Sequence, residues 1–290
     1  MYNKKYVKVT FFIFVLILFN LSYLNNSGLL IWGLKRAKVI NSLNIKTNLA
    51  AADSKSSKSL SNFRMDYFLS PEESESIALK IKSLSKQWKK RNAAMSTLGT
   101  ASYLDGENLQ NYVKDSKKSN PFMNHHFKEL HSAVLNYFQR LCPKSKVRYR
   151  KNAALPGFHI FDCNKLFSLP VASVHKDLQW KRITLEDGEE IDMENTMSFT
   201  LALELPPGGG GLYIFDTLEL GLANFLIPGM IRHSMANKKK IEYEVGYMVV
   251  HNGMHYHMIA PCKPSSKFSR ITLQGHGVYE KTKNTWWLYW

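Results

Sequence analysis

From residue 147 onwards, the chain consists of short apolar segments separated by Gly, Pro and Asn. Several segments alternate apolar with polar residues or are rich in β-branched and aromatic residues, as β-strands are. They cover residues 156–161, 169–174, 197–205, 212–215, 243–250, 254–261 and 269–274. Many short strands joined by tight turns are typical of a β-sandwich or a jelly-roll barrel, so we expect a mainly β core.

The residues ahead of this region follow a helical period. Ser70 and Pro71, followed by two glutamates, have the pattern of a helix start, with a capping serine, a proline and acids in the first turn. Apolar residues then recur at helical spacing as far as Trp88, and a second amphipathic helix is predicted over residues 122–141. Residues 101–120 are polar and are predicted to be mostly loop. We expect these supporting α-helices to brace the outside of the β core.

The first forty residues have the pattern of a targeting element. Lys4, Lys5 and Lys8 precede an apolar run over residues 9–19, which suits a signal peptide and extends to Leu24 if two polar residues are tolerated. No clean small-x-small cleavage site follows closely, so we favour an N-terminal hydrophobic signal anchor over residues 1–40 to a cleaved signal peptide. A single-pass membrane protein with a lumenal or extracellular catalytic domain is expected, and secretion is the alternative.

Composition divides the remainder of the chain into four parts. Residues 41–62 are rich in Ser, Lys and Ala and are predicted to be a flexible linker. Residues 63–146 form the helical supporting region, and residues 147–280 form the β domain. Residues 281–290 are an aromatic tail, which could pack on the core or contact an interface or a membrane surface.

Charge and cysteine usage exclude several classes of protein. The net charge is +16, but residues 171–290 carry 12 basic and 13 acidic side chains, so the excess lies in the first 170 residues. No nucleic-acid-binding signature accompanies it, and no nucleic acid partner is expected. Cys142, Cys163 and Cys262 form no C-x-x-C pair, which excludes a cysteine-rich zinc site. One disulfide remains open, although packed free thiols are favoured.

The candidate chemistry lies in His175-Lys-Asp177, in His257 and in Arg270-Ile-Thr272. Side chains two residues apart share one face of a strand, so His175 and Asp177 could bind one ion, and Arg270 and Thr272 could together bind a carboxylate. Two imidazoles and one carboxylate are the ligands of a facial-triad iron site with open positions. In a chain with ten histidines, H-x-D alone is a weak signal, and the order of the surrounding segments strengthens it.

Residues 147–278 resemble the Fe(II)/2-oxoglutarate-dependent dioxygenases, in the style of the prolyl-hydroxylase-like branch. The family pattern is H-x-D, a Gly-Gly before a strand, a distal H-x-x-x-P and an Arg-x-Ser/Thr. Here Gly210-Gly211, His257-Met-Ile-Ala-Pro261 and Arg270-Ile-Thr272 match the last three parts. The resemblance implies a double-stranded β-helix (jelly-roll) core.

The resemblance also implies roles for five residues. His175, Asp177 and His257 would bind Fe(II), and Arg270 and Thr272 would bind the cosubstrate 2-oxoglutarate. The implied reaction is the hydroxylation of an unactivated C–H bond by O2, with release of succinate and CO2 and with ascorbate as an auxiliary cofactor. A peptidyl proline is one candidate substrate, but an unknown protein or a small molecule would leave the same motifs.

The choice of the third ligand rests on the family spacing. His251, His255 and His257 would share a face of an ideal strand, although Asn252-Gly253 is predicted to break it into a hairpin. The family pattern places the ligand four residues before Pro261, which selects His257. For His251 and His255, hydrogen-bonded strand histidines near the pocket are the preferred interpretation.

Two other functions remain open from the sequence. The same three ligands plus water could serve a zinc hydrolase, although no H-E-x-x-H is present. The β core could also be a non-catalytic binding module. Tyr149, His159 and Trp180 lie on segments that should border the site, although ordinary packing is the preferred interpretation of each.

Overall fold

The computed structural model describes residues 58–60, 63–106, 108–164, 167–169, 172–183, 185–215, 237–265 and 267–290. The predicted anchor over residues 1–40 and most of the predicted linker over residues 41–62 lie outside these ranges. Within them, no helix combines the length and the apolar character that crossing a bilayer requires.

The described residues contain three α-helices and thirteen strands. The helices are α1 (Pro71–Ser83), α2 (Ser102–Asp105) and α3 (Leu109–Leu141), with short 3-10 turns at Ser85–Gln87 and Gln179–Arg182. The strands are β1 (Lys58–Leu60), β2 (Phe63–Tyr67), β3 (Lys89–Lys90), β4 (Met95–Leu98), β5 (Lys146–Tyr149), β6 (Gly157–Asp162), β7 (Ile191–Glu204), β8 (Gly211–Phe215), β9 (Lys238–Glu242), β10 (Tyr247–His251), β11 (Tyr256–Ala260), β12 (Ser269–Glu280) and β13 (Thr285–Tyr289).

Two sheets form a jelly-roll-like core, so the prediction of a mainly β fold with supporting helices is confirmed. The larger sheet runs β1-β2-β10-β7-β12-β6-β4-β3, and β13 pairs with both β12 and β5. The smaller sheet runs β11-β8-β9. The long strands β7 and β12 pair at the centre of the larger sheet and carry many of the side chains that form the site.

The outer face of the larger sheet packs against the helices. Phe199 of β7 contacts Phe138 of α3 with ring centroids 4.8 Å apart, and Phe158 of β6 lies 4.6 Å from the ring of Phe127. The predicted helix start after Ser70 is confirmed, because the Ser70 hydroxyl accepts a hydrogen bond from the Glu73 backbone N–H. The helices therefore bury the apolar side of the sheet and leave its other side to face the smaller sheet.

The helical region differs from its prediction in two respects. Helix α3 begins at Leu109, so the loop predicted over residues 101–120 is wrong in its second half. Asn108 caps this helix through a hydrogen bond from the Gln110 N–H, and fully buried Tyr112 donates its hydroxyl hydrogen to the Trp290 carbonyl. Burial of Tyr112 against the rest of the fold thus stabilises a helix in a segment whose polar composition predicts a loop. Residues 63–146 also contribute strands β2, β3 and β4 to the larger sheet.

The strand boundaries differ from the prediction at three places. The hairpin predicted at Asn252-Gly253 is wrong, because β10 pairs with β2 and β7 in the larger sheet whereas β11 pairs with β8 in the smaller one. The described part of residues 169–174 contains no strand, and an isolated bridge at His175 follows it. The aromatic tail forms β13 and ends in the fully buried Trp290.

The cysteines also depart from the favoured interpretation. Cys163, just beyond β6, forms a disulfide with Cys262, just beyond β11, across a sequence separation of 99 residues. Cys142 is a buried free thiol. The bridge joins the ends of one strand from each sheet, in a small apolar cluster that includes Phe161 and Phe167.

Candidate metal centre

The structure brings His175, Asp177 and His257 together between the two sheets. His175 and His257 exchange a pair of backbone N–H···O=C hydrogen bonds, each 2.9 Å long. The Asp177 N–H donates to the Gly253 carbonyl at 2.8 Å. These backbone bonds fix the chain that carries His175 and Asp177 against β11 and the turn that precedes it.

The three side chains offer one donor set for an ion. Asp177 Oδ2 lies 3.3 Å from His257 Nε2, and Asp177 Oδ1 lies 3.6 Å from His175 Nε2. All three donor atoms lie within 4.8 Å of one another. Adjacent ligands at about 2.1 Å from one metal ion are roughly 3 Å apart, so small side-chain movements would close the set around an ion.

Hydrogen bonds to the backbone orient both imidazoles. His175 Nδ1 lies 3.0 Å from the Ser173 carbonyl, and His257 Nδ1 lies 2.8 Å from the His255 carbonyl. A carbonyl only accepts, so each Nδ1 carries a hydrogen, and Nε2, the ring atom near Asp177, is the one that can bind a metal ion once it is unprotonated. This is the tautomer that a metal ligand needs.

Asp177 is held by a neighbour on the following 3-10 turn. Gln179 Nε2 donates to Asp177 Oδ1 at 3.0 Å. Burial would raise the pKa of the Asp177 carboxyl, but the charge and hydrogen bond of His257 outweigh it and hold the pKa well below the usual range. Asp177 is thus a buried carboxylate, a state that requires a cationic or hydrogen-bonding environment.

The two imidazoles differ in their pKa values. Burial lowers the pKa of His175 to about 4, so this imidazole is neutral near pH 7. Burial also acts to lower the pKa of His257, but the closer Asp177 carboxylate outweighs it and raises the pKa above the ordinary value. Only the His175 side chain is substantially exposed, at 31%, so the centre opens on the His175 side.

Gly253 lets the turn approach the centre. Its φ of +70° belongs to the left-handed region, and a Cβ at this position would lie 2.9 Å from Asp177 Cβ and 2.8 Å from Ser198 Oγ. Any larger residue would displace the backbone carbonyl that accepts from Asp177. A glycine is therefore a requirement of the site as well as of the turn.

Several side chains on the inner face of the larger sheet are polar and pair with one another. Ser198 Oγ of β7 lies 3.0 Å from His276 Nδ1 of β12, and Thr200 Oγ1 donates to Gln274 Oε1 at 3.0 Å. On β6, His159 Nε2 forms a short hydrogen bond with the Tyr103 hydroxyl. His159 and His276 also interact electrostatically with the candidate ligands, so these pairs lie within reach of the centre.

Arg270 of β12 is a fully buried guanidinium with unused donors. Its Nε and Nη1 have no hydrogen-bond partner among the described residues, and its charge lies between the rings of Phe161 and Tyr243, at 5.5 and 5.4 Å. A Cβ on Gly210 would approach Arg270 Nε to 3.2 Å, so the glycine leaves room for the guanidinium. Such a group needs an anion, because unpaired buried charge is costly.

The electrostatics connect Arg270 to the candidate ligands. Burial, followed by the charge of Arg270, lowers the pKa of His159 well below its usual value, and His175 contributes in the same direction. His159 is thus within electrostatic reach of both. Thr272 is fully buried two residues after Arg270 on the same strand, where the hydroxyl and the guanidinium share one face.

The remaining sequence candidates fall into two groups. His159 lies within the site, and His251 lies beside it, with its ring 5.0 Å from that of His257 and its Nδ1 accepting from the Gly253 N–H. Tyr149 donates to the His131 carbonyl in the core beneath the helices, and Trp180 joins a separate apolar cluster. The preferred packing interpretation therefore holds for Tyr149 and Trp180.

Sequence reasoning missed several side chains of the site. Gln179 follows Asp177 by two residues, and Gln274 and His276 continue the spacing of Arg270 and Thr272, so extending the period of two could have found them. Tyr243 lies beyond β9, and only the folded structure brings its ring to Arg270.

Comparison with known proteins gives likenesses in structure only. No family model matches the sequence, and no curated protein matches it. An N-substituted L-amino acid dioxygenase from Burkholderia ambifaria in complex with alpha-KG has 10% identity and a TM-score of 0.46, over 79% of this chain and 86% of that chain.

Two further solved structures are similar at the same level. HygX from Streptomyces hygroscopicus, with nickel and 2-oxoglutarate bound, has 11% identity and a TM-score of 0.44, over 74% of this chain and 82% of that chain. A Pseudomonas putida prolyl-4-hydroxylase has 13% identity and a TM-score of 0.32, over 73% and 90%. At these identities and TM-scores the likeness assigns no activity to this chain.

Proposed function

We propose that this chain is an Fe(II)- and 2-oxoglutarate-dependent oxygenase that hydroxylates an unactivated C–H bond within a double-stranded β-helix core. One observation carries the proposal: a two-histidine, one-carboxylate donor set lies near a fully buried arginine whose Nε and Nη1 lack partners among the described residues. The donor set fits Fe(II), and the arginine fits the distal carboxylate of a 2-oxo dicarboxylic acid.

In this proposal each residue has a defined task. His175, Asp177 and His257 would hold Fe(II) from one side and leave positions open for the keto acid and O2. When bound, the iron couples oxidative decarboxylation of 2-oxoglutarate to succinate and CO2 with transfer of one oxygen atom into the substrate C–H bond. Gln179 holds the Asp177 carboxylate, and the Ser173 and His255 carbonyls hold the imidazole tautomers.

Arg270 and Thr272 would bind and orient the cosubstrate. The guanidinium would form charge-assisted hydrogen bonds with the distal carboxylate, and the Thr272 hydroxyl would add one more. Phe161 and Tyr243 enclose the guanidinium, so the ion pair would form away from bulk water, where it is stronger than at a surface. These residues position the keto acid and exclude solvent.

The unpaired arginine distinguishes this proposal from the alternatives. A zinc hydrolase would use the same three ligands with water, but it would give the buried Arg270 no anion. A non-catalytic module would have no use for imidazoles fixed in the metal-binding tautomer. Both features are accounted for together when a metal and a dicarboxylic keto acid share the site.

The test is metal and cosubstrate dependence. Anaerobic addition of Fe(II) and then 2-oxoglutarate to the purified protein should give a weak visible charge-transfer band, whereas zinc should give none. On admission of O2, the protein should release succinate. Failure to develop the band with fully loaded iron would refute the proposal. Mass spectrometry of lysate proteins and metabolites for a 2-oxoglutarate-dependent gain of one oxygen would then identify the substrate, with peptidyl proline as the first candidate.

We also propose an oxidising compartment for the catalytic domain. The Cys163–Cys262 disulfide supports this location, because such bonds persist mainly in secreted and lumenal proteins. Attachment to a membrane through residues 1–40 stays a prediction, as does the use of ascorbate. Fractionation of cells with and without carbonate extraction would test the attachment.

A further inference from the structure

Gln274 lies between two threonines of the inner face and contacts both. Its Oε1 accepts from Thr200 Oγ1 at 3.0 Å, and its Nε2 donates to Thr272 Oγ1 at 3.0 Å. Thr200 and Gln274 are direct partners in the β7–β12 ladder, and Thr272 precedes Gln274 by two residues on the same face. The amide is therefore fixed at both ends, by one neighbour across the sheet and one along the strand.

This arrangement sets the polarity of the Thr272 hydroxyl. Because Thr272 Oγ1 accepts from Gln274, its own hydrogen is left to donate elsewhere. Thr272 is fully buried, and among the described residues this is the one hydrogen bond of its hydroxyl group, so the hydroxyl hydrogen stays available to a ligand that enters the buried site. The opposite orientation of the amide would make Gln274 the acceptor and consume that hydrogen.

We propose that Gln274 is a positioning residue that makes the site selective for a 2-oxo acid with a distal carboxylate. This inference rests on the proposed function. Gln274 keeps the Thr272 hydroxyl oriented as a donor beside Arg270, so that a carboxylate receives a neutral donor as well as the unpaired guanidinium donors. Gln274 itself need not contact the cosubstrate, because it acts through Thr272.

Equilibrium binding to metal-loaded protein without turnover tests this role. Calorimetric titration of 2-oxoglutarate into anaerobic protein loaded with Mn(II) gives the Kd for wild type, Gln274→Met, Thr272→Val and the double variant. Gln274→Met keeps the length of the side chain and removes both hydrogen bonds, and Thr272→Val keeps the shape and removes the hydroxyl. Each single variant should raise the Kd about tenfold, the effect of one hydrogen bond to a charged group.

The double variant tests whether Gln274 acts through Thr272. If it does, the double variant should bind about as weakly as Thr272→Val alone, whereas independent effects would multiply to about a hundredfold. The comparison ligand is 2-oxopentanoate, which has the same chain length as 2-oxoglutarate but lacks the distal carboxylate. Gln274→Met should leave the Kd for 2-oxopentanoate within about twofold of the wild-type value. If the substitution loosened the whole site, the Kd for 2-oxopentanoate would rise as well.

Two controls keep the outcome interpretable. Gln139 lies on α3, where its amide accepts one hydrogen bond and donates to the carbonyls of Cys142 and Ser145, and Gln139→Met should not change the Kd. Gln274→Glu keeps nearly the shape of the native side chain, but an ionised carboxylate can only accept hydrogen bonds. It would accept the hydrogen of the Thr272 hydroxyl, so it should weaken 2-oxoglutarate binding more than Gln274→Met does. This variant keeps the test available if the methionine variant does not fold.

The possible failures are distinguishable. If metal-loaded wild type does not bind 2-oxoglutarate, the proposed function fails, and this inference fails with it. If wild type binds and Gln274→Met leaves the Kd unchanged, or weakens 2-oxopentanoate equally, only the role of Gln274 is overturned. A hundredfold loss in the double variant would also overturn it, because the two residues would then act independently.

Discussion

Strands β7 and β12 present two faces with opposite chemistry. Their outer side chains, such as Phe199 and Leu273, are fully buried and belong to the apolar core cluster that includes the helices. Their inner side chains, such as Thr200, Gln274 and Arg270, are polar. Because successive residues alternate between the two faces, each strand contributes to stability and to the site within the same few residues.

The apolar outer face offsets the free-energy cost of burying the polar inner side chains. Burying polar groups disfavours folding unless each finds a partner, and two donors of Arg270 have none among the described residues. The apolar face, closed by α1 and α3, contributes the hydrophobic free energy that permits this arrangement. Substitutions on the two faces should therefore separate stability from binding.

The largest effect on activity is expected at the candidate metal ligands, which lie between the two sheets. His257→Ala should abolish Fe(II) binding and reduce succinate formation by about a thousandfold or more, while the apoprotein stays folded. Metal titration and a succinate assay measure both. His251→Ala is the matched control, because its ring lies 5.0 Å from His257 but is absent from the donor set, and it should keep most of the activity. An inactive His251→Ala beside an active His257→Ala would reverse the assignment.

A substitution on the outer face should instead reduce stability and leave metal binding unchanged. Phe199→Ala removes a fully buried ring that packs on Phe138, and it should lower the free energy of unfolding by about 3–5 kcal/mol. Denaturant titration measures the loss. Metal affinity of the folded protein should stay near that of wild type, and a large loss of metal affinity would show that the two faces are coupled.

Arg270→Met should change binding and stability in opposite directions. Loss of the guanidinium should weaken 2-oxoglutarate binding about a hundredfold. The same change removes a buried charge with unused donors, so the ligand-free protein should become more stable by about 1–3 kcal/mol. Thermal unfolding with and without 2-oxoglutarate separates the two effects, and a destabilised ligand-free variant would contradict the view that Arg270 awaits an anion.

The smallest effect concerns pH. The pKa of His257 is raised by Asp177, and a metal must displace the proton that this imidazole carries in acid. Metal affinity should therefore fall as the pH drops through the His257 pKa, by about tenfold per unit below it. His175, with a pKa of about 4, should compete only at still lower pH. Affinities that stay constant across weakly acidic pH would contradict the assignment.

Local geometry explains what the sequence predicted well. The period of two placed Arg270 with Thr272 on β12, because the direction of a side chain on a strand depends only on its neighbours. The helix start at Ser70 was predictable for the same reason, since its cap is made within four residues. These features need no knowledge of the rest of the fold. His175 and Asp177 also come together, although their segment forms an isolated bridge at His175 and no strand.

Long-range packing explains what the sequence missed. The turn at Gly253 looked like a hairpin, and its strands belong to different sheets because of partners far away in the chain. Helix α3 begins before its apolar stripe because Tyr112 is buried beneath Trp290, at the other end of the sequence. The ring of Tyr243 reaches Arg270 for a similar reason, and no pattern near residue 243 encodes it.

The Cys163–Cys262 disulfide encloses His175, Asp177 and His257 in one covalent ring. A single proteolytic cut anywhere between the two cysteines would open this ring without releasing either fragment. The two pieces would migrate together on a non-reducing gel and separate only after reduction. Nicked protein would thus keep the two fragments, and with them the candidate ligands, covalently tethered until the bridge is reduced.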